Sequence, residues 1–220
     1  MVDYRPILRI ENTNLLEVKS VTCVKQERCL FEALSFSLES GKIMQIEGPN
    51  GAGKTSLLRI LAGFAQADEG EVFFEQQSIG EYYDEYAAQL LFIGHKTGVN
   101  TQLTAFENVC HWLRVHGYND DSQVYDLLGT LGLVGLEDVP VRTLSAGQQR
   151  RVALVRLWLN SAKLWILDEP FTALDKKGVA MLQSRFNKHL ERGGSIILTT
   201  HQDLTQHFEQ LQTLVLEYRH

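Results

Sequence analysis

Gly48-Pro-Asn-Gly-Ala-Gly-Lys-Thr55 joins a predicted strand to a predicted helix through a glycine-rich turn. The preceding run, Lys42-Ile-Met-Gln-Ile-Glu47, is typical of a buried strand, and Leu57, Leu58 and Leu61 follow at helical spacing. Glycines let the backbone bend so that N–H groups and the amino end of a helix point at one anion. The stretch therefore predicts a phosphate-binding loop inside an α/β fold.

The residues of this loop have separate predicted tasks around the phosphates of a nucleotide. Lys54 is expected to reach the β- and γ-phosphates, and Thr55 is expected to offer its hydroxyl to Mg²⁺. Ser56 is expected to bond the α-phosphate. The predicted nucleotide-binding residues of the loop are Gly48, Asn50, Gly51, Ala52, Gly53, Lys54, Thr55 and Ser56.

A second apolar stretch, Leu164-Trp-Ile-Leu-Asp-Glu169, ends in two carboxylates. Parallel sheets present ligand-binding side chains where their strands end. Asp168 is therefore expected to hold Mg²⁺ through water. Glu169 is expected to polarise the attacking water as a general base, a role worth roughly 10²–10⁴-fold in rate. Two acids after an apolar run are equally typical of a solvated strand end, but the phosphate loop upstream favours the catalytic interpretation.

His201 follows the next apolar strand, Ser195 to Thr199. From that position its imidazole can reach the γ-phosphate and bridge it to Glu169. An isolated histidine is more often a packed or surface residue, and that interpretation is expected for most of the other six histidines. The predicted catalytic role of His201 depends on its place one strand after the carboxylates.

Short apolar strands alternate with helices along the chain, which indicates a mostly parallel sheet with right-handed crossovers. The predicted helices include one from Gln148 to Asn160. A helical stretch between about 95 and 144 interrupts the alternation and is typical of an inserted subdomain. The predicted organisation is an amino-terminal extension at 1–14, a core with a β subdomain at about 15–94 and 145–209, and a carboxy-terminal tail at 210–220.

The composition is that of a soluble globular protein, with 44% hydrophobic and 22% charged residues in 220. The net charge of −6 argues against a nucleic-acid-binding protein, which usually carries a basic face. No apolar run approaches the roughly 18 residues of a spanning helix, and residues 1–14 lack the apolar centre of a signal peptide. A cytoplasmic location is therefore expected. Three cysteines at no zinc or disulfide spacing indicate reduced packing thiols.

Together these motifs resemble the ABC ATPases, over about residues 15 to 209. The resemblance also rests on Leu144-Ser-Ala-Gly-Gln148 and on Thr172-Ala-Leu-Asp175. It implies an ABC-type P-loop fold with a mostly parallel core, an antiparallel β subdomain and an inserted α-helical subdomain. It also implies ATP and Mg²⁺ as cofactors, and a head-to-tail dimer that closes on two ATP molecules. The residues implied to complete the ATP site of the second copy are Ser145, Ala146, Gly147, Gln148 and Asp175.

Longer stretches resemble one branch of that superfamily, the haem exporter ATPases of cytochrome c maturation (the CcmA family). These stretches are Leu91 to Asn108, Leu144 to Leu154 and Leu164 to Ala173. The resemblance implies an ATPase bound to a polytopic membrane subunit (CcmB-like) and to haem-handling proteins, peripheral on the cytoplasmic face of the inner membrane. It would energise haem export or release for c-type cytochromes.

Two positions depart from most ABC ATPases. His95 stands where most ABC ATPases carry glutamine, and the haem exporter branch also carries histidine at this position. The resemblance implies contacts of His95 with Mg²⁺ and with the attacking water. Simple packing beside Phe92 and Lys96 is the alternative. Lys25 stands where an aromatic residue usually stacks on adenine. Lys25 is expected to cover the base by a cation–π contact, and weak base recognition is the alternative. An apolar face for the membrane partner is expected at Val99, Leu103, Phe106 and Trp112.

Other functions remain compatible with parts of the sequence. The chain has the motifs of an ABC ATPase for a different exported substrate, or of a soluble ABC protein acting on nucleic acid or in cofactor assembly. The acidic balance and the single cassette disfavour the nucleic-acid version. A P-loop kinase acting on a small molecule offers no reason for Leu144 to Gln148.

Overall fold

The structure, a computed structural model, describes residues 14–208 and 210–218, and two sheets organise them. The first sheet is antiparallel, with strand order β2-β1-β4-β5. Its strands are β1 (Asn14–Lys25), β2 (Arg28–Glu39), β4 (Glu69–Phe74) and β5 (Gln77–Ser78). The second sheet is parallel, with order β6-β7-β8-β3-β9. Its strands are β3 (Ile43–Glu47), β6 (Leu90–Ile93), β7 (Leu164–Asp168), β8 (Ser195–Thr199) and β9 (Leu211–Val215).

Helices flank the parallel sheet and fill the segment between β6 and β7. They are α1 (Lys54–Leu61), α2 (Tyr83–Ala88), α3 (Ala105–Val115), α4 (Val124–Thr130), α5 (Ala146–Leu154), α6 (Arg156–Leu159) and α7 (Lys176–Glu191). Every residue of β7 and β8 is buried, as expected for central parallel strands with both faces covered. Because β7, β8 and β3 are adjacent and parallel, their carboxyl ends meet at one edge of the sheet, where α1 begins.

Side-chain hydrogen bonds shape the helical segment between β6 and β7. Thr104 caps α3 in a reciprocal arrangement with Glu107, so that two backbone N–H groups at the helix start are satisfied. The buried side chain of Asn108 accepts from the backbone N–H of Asn100 at 2.7 Å and donates to the Asn100 carbonyl at 2.9 Å. These bonds hold the loop that follows β6 against α3.

Several elements differ from the sequence-based expectation. The predicted tail at 210–220 contains β9, an edge strand that pairs with β3; its residues are only half-buried, so its hydrophobic pattern is weak. The predicted helix from Gln148 to Asn160 begins earlier, at Ala146, because Ser145 caps it, and it is divided into α5 and α6 at Val155. β1 is a single strand of 12 residues whose register against β2 is irregular. Residues 1–13, most of the predicted extension, lie outside the described residues.

All three cysteines are described, and each is a free thiol. Cys23 and Cys110 lie in the apolar core, where burial raises the pKa of both thiols. In the part of the chain that the structure covers, no helix combines the length and apolarity needed to cross a bilayer.

The buried side chain of His189 makes the stability of the fold depend on pH. Its ring stacks on Trp165 at 3.6 Å, and burial, followed by the charge of Arg185, lowers its pKa to about 4. In the unfolded chain His189 takes up a proton as the pH falls below about 6.5, whereas in the folded chain it stays neutral down to about pH 4. The contribution of His189 to the unfolding free energy is therefore fully present above pH 6.5 and is lost as the pH falls towards 4. Between pH 6.5 and 4.5 this one group should lower the unfolding free energy by about 2–3 kcal/mol.

Urea unfolding at the two pH values measures this loss. The variant His189→Asn should show a smaller loss than the wild type by about that amount, because the titrating ring is gone while the carboxylates are unchanged. An identical loss in both proteins would assign the acid sensitivity to other groups.

Candidate functional site

The phosphate loop between β3 and α1 borders a cavity of about 500 Å³. The cavity lies where β7 and β8 end, so residues far apart in the chain share one space. The residues lining it are Leu30, Asn50, Gly51, Gly53, Lys54, Thr55, Ser56, His95, Asp168, Glu169, Thr172 and His201. Of the predicted loop residues, Gly48 and Ala52 are not among the lining residues, and Ala52 is buried. Lys25 is exposed at the end of β1 and is not among the lining residues.

The loop has the conformation of an anion cradle. Gly51 and Gly53 have φ angles of +84° and +100°, a left-handed region that favours glycine. A Cβ atom on Gly53 would lie 3.2 Å from the ring of Phe31. The Lys54 ammonium donates to the carbonyl of Gly48 at 2.6 Å, which keeps the cation over the loop. Backbone N–H groups, a cation and a helix start therefore converge on one place.

Two oxygen groups suited to a divalent cation meet beside the loop. The Thr55 hydroxyl donates to one Asp168 carboxylate oxygen at 3.0 Å, and the Thr199 hydroxyl donates to the other at 2.7 Å. Mg²⁺ prefers such hard oxygen ligands and is commonly held by one or two protein groups together with phosphates and water. The residues present fit Mg²⁺ in that manner. Across residues 14–208 and 210–218 no group of three or more His, Cys, Asp and Glu residues is arranged to hold a metal.

The structure brings the second carboxylate close to the predicted histidine. Glu169 Oε1 lies 3.5 Å from His201 Nε2. Glu169 has a φ of +51°, unusual for a residue other than glycine, and its N–H donates to the Thr199 hydroxyl at 3.0 Å. That bend turns the side chain into the cavity just after β7 ends. The His201 side chain is largely exposed, so it can approach a bound phosphate from the solvent side.

Arg150 is a site residue that the sequence-based analysis missed. It is buried, donating to the carbonyls of Asp168 at 2.6 Å, of Glu169 at 2.9 Å and of Gly94, next to His95, at 2.9 Å. Burial lowers the pKa of this guanidinium, although both carboxylates oppose the shift. One side chain thus ties α5 to the ends of β6 and β7. The available signal was the Arg150-Arg151 pair, but a sequence does not tell which of two adjacent arginines is buried.

The stretch Leu144 to Gln148 begins α5 and lies apart from the cavity of its own chain. The Ser145 hydroxyl accepts from the N–H of Gln148, and the Gln148 side chain accepts from the N–H of Ser145. A Cβ atom on Gly147 would clash with the carbonyl oxygen of Ala173, so this helix start packs closely on the following loop. None of the residues 144–148 lines the cavity that the described residues form. The exposed start of α5 is available to another molecule.

Asp175, predicted to act at the partner's site, has contacts within its own chain. Its carboxylate accepts from the N–H of Gly178 at 2.8 Å at the start of α7, and from Arg151 at 2.8 Å. The Gly178 bond, followed by the Arg151 contact, lowers the pKa of Asp175. The residue therefore caps α7 and joins it to α5.

Two residues of the predicted apolar face for a membrane partner, Phe106 and Trp112, contact other side chains of the same chain. Trp112 is buried and stacks on His116 at 4.0 Å, and Phe106 stacks on Tyr125 at 4.5 Å. The prediction was wrong for Trp112, because its spacing on α3 turns it into the core rather than outward. His95, in contrast, is exposed and lines the nucleotide cavity.

Comparisons with known proteins show the family of the chain. The ABC transporter family model matches residues 31–172. A cytochrome c biogenesis ATP-binding export protein CcmA from Aliivibrio fischeri is 53% identical over 190 residues, which cover 86% of this chain and 93% of that protein. One from Idiomarina loihiensis is 51% identical over 208 residues, covering 94% and 95%.

Solved structures show the same fold. An ATP-binding subunit of an ABC transporter superposes with a TM-score of 0.81 at 23% identity, covering 94% of this chain and 88% of that one. A dimeric ATP-binding cassette in a post-hydrolysis state, bound to ADP and Pi, superposes with a TM-score of 0.79 at 23% identity, covering 93% and 97%.

Proposed function

The chain belongs to the ABC transporter family and, within it, to the CcmA family of ATP-binding export proteins, and we propose that it energises haem export or release for c-type cytochrome biogenesis. The observation that carries the proposal is the convergence of the phosphate loop, Asp168, Glu169 and His201 on one cavity, in a chain about half identical to CcmA proteins over most of its length. Membership of this family makes the chain an ATPase. The identity of the cargo as haem is what we propose.

In the proposed reaction, Glu169 accepts a proton from the water that attacks the γ-phosphate. His201, 3.5 Å from Glu169, holds that carboxylate and the phosphate in line. Lys54 and the loop amides neutralise charge on the β- and γ-phosphates. Thr55 and Asp168 are the proposed holders of Mg²⁺, which would supply charge neutralisation between the phosphates. Arg150, on α5, holds the ends of β6 and β7 in place through its hydrogen bonds to their carbonyl groups.

A second copy of the chain is proposed to complete each site. The start of α5 carries Ser145 and Gly147 and does not reach the cavity of its own chain. In a head-to-tail pair, the Ser145 hydroxyl and the amide groups at that helix start would face the γ-phosphate held by Lys54 of the other copy. One of the solved cassettes with the same fold is a dimer, which supports a paired arrangement.

A membrane subunit of CcmB type is the proposed second partner, and it would hold the ATPase at the cytoplasmic face of the inner membrane. Affinity capture of the tagged chain from solubilised membranes tests this. We expect one polytopic membrane protein and haem-handling proteins to be retained. Retention of a membrane subunit with a cargo unrelated to haem would contradict the haem assignment, and retention of RNA or DNA instead would contradict export altogether.

His95 provides a prediction about metal use. Replacing it with alanine should lower Mg²⁺-dependent ATP hydrolysis by about 10- to 100-fold, as removal of outer contacts to a metal site does. His95→Gln should stay within a few-fold of the wild type, because the amide can make the same contacts to the metal and the water. A Mg²⁺ titration of ATPase activity measures both effects. His111→Ala, which changes an exposed histidine on α3, is the matched control; full activity in His95→Ala would remove the proposed role.

A further inference from the structure

A second cavity, of about 630 Å³, lies at the opposite end of the parallel sheet from the phosphate loop. It is bordered by the segments that lead into β7 and β8, at 158–163 and 192–194, whereas the nucleotide cavity lies where those strands end. The volume is in the range of small-molecule sites. No step of the ATPase reaction uses it.

The cavity carries positive charge that the rest of the described structure does not neutralise. Lys163 and Glu75 both line the cavity and neutralise each other as an ion pair at 2.6 Å. Arg185 and Arg192 also line the cavity, and within residues 14–208 and 210–218 neither makes an ion pair with a carboxylate. Burial, followed by the nearby charge of Arg192, lowers the pKa of Arg185. Two neighbouring cations without a counter-charge, in a chain of net charge −6, favour an anionic ligand.

The Arg185 guanidinium is held in a defined orientation. Its Nε donates to the carbonyl of Leu157 at 2.8 Å, and its Cζ lies 5.0 Å from the ring centre of Trp165 and 5.9 Å from that of Trp158. A guanidinium presents its donors in a flat fork that matches the paired oxygens of a phosphate or carboxylate. With Nε engaged by the backbone, its two terminal nitrogens are the groups offered to a ligand.

His189 adds a buried polar atom to the same wall. The residue is only 7% exposed, and its Nε2 has no hydrogen-bond partner among the described residues. The ring lies flat on Trp165, and the edge that carries Nε2 faces Gly194, where any side chain would overlap the ring. The ring therefore closes one side of the cavity, and its polar edge is enclosed by the backbone around Gly194 rather than offered to a ligand.

We propose that this cavity binds a small polyanion carrying phosphate or carboxylate groups, held by Arg185 and Arg192, with the buried ring of His189 as part of the wall. The site is separate from the nucleotide cavity and does not depend on the proposed function of the chain. It would let an anionic metabolite bind the ATPase without competing for the phosphate loop.

Intrinsic fluorescence tests the proposal, because Trp158 and Trp165 both lie beside Arg185. The full chain is saturated with ADP, and Mg²⁺ is kept in excess over the highest probe concentration because both probes chelate it. The phosphate loop thus stays filled while the chain is titrated with inorganic pyrophosphate and, separately, with citrate. We expect a saturable change with at least one probe, with a Kd of about 1 mM or below. Arg192→Ala should raise that Kd by about tenfold or more, since a charged hydrogen-bonding partner is lost. A response to pyrophosphate alone indicates a phosphate ligand, and one to citrate alone a carboxylate ligand.

Lys188→Ala is the matched control, because Lys188 is an exposed cation on the same helix that does not line the cavity. Its Kd should equal that of the wild type. Arg192 is also exposed, so its removal should leave the fold intact, which thermal unfolding verifies. The proposal is overturned by the absence of saturable binding in both fluorescence and calorimetry. It is equally overturned if Arg192→Ala binds as the wild type does, or if Lys188→Ala weakens binding as much as Arg192→Ala.

Discussion

Glu169→Gln is expected to lower steady-state ATP hydrolysis by about 10²–10⁴-fold while ATP binding persists, because an amide cannot accept the proton of the attacking water. The substitution keeps the size of the side chain. It also leaves untouched the backbone bonds to Thr199 and Arg150 that turn residue 169 into the cavity. The loss should therefore appear in kcat, with little change in the affinity for ATP.

The same variant should accumulate as a dimer when ATP is present, since two filled sites between two copies can no longer be emptied by hydrolysis. Sedimentation with ATP and with ADP measures this difference. Glu191→Gln, which changes an exposed carboxylate at the end of α7, serves as the control and should behave as the wild type. Near-normal hydrolysis in Glu169→Gln, with ATP still bound, would exclude Glu169 as the general base.

When every copy carries the substitution, Ser145→Arg and Lys54→Ala should each lower ATP hydrolysis by roughly 10²–10³-fold or more. Ser145→Arg places a bulky cation at the exposed start of α5, where the partner's γ-phosphate is proposed to lie. Lys54→Ala removes the cation of the phosphate loop in its own chain. Ser184→Arg, on the exposed face of α7, controls for an added arginine and should retain full activity.

Mixing the two inactive variants distinguishes a shared site from two separate ones. In a mixed head-to-tail dimer both lesions fall on one composite site, and the opposite site is intact. If the sites work independently, random mixing should restore about a quarter of wild-type activity. Native mass spectrometry counts the mixed dimers. Their presence without any recovered activity would contradict independent composite sites.

Local patterns in the sequence were enough to predict the phosphate loop, the acidic strand end and the ABC fold. Each depends on neighbours in the chain: glycines permit the turn after β3, and an apolar run places Asp168 and Glu169 at the end of a buried strand. The comparisons confirm the fold and the family. The individual roles of the site residues, including His201 and His95, stay predictions that the variants above test.

Other features were decided only by tertiary structure, because they depend on which distant segments pack together. β9 is recognised by its pairing with β3 and not by its half-buried pattern. Arg150 and Arg151 are indistinguishable in the sequence. Adjacent residues of a helix point about 100° apart, so the packing of α5 buries the first against the end of the carboxylate strand and leaves the second paired with Asp175. The sequence predicted that His201 lies near Glu169, but only the strand order fixes their separation at 3.5 Å. Helix packing likewise holds Ser145 outside the cavity of its own phosphate loop, since sheet register and helix packing fix distances that no local pattern encodes.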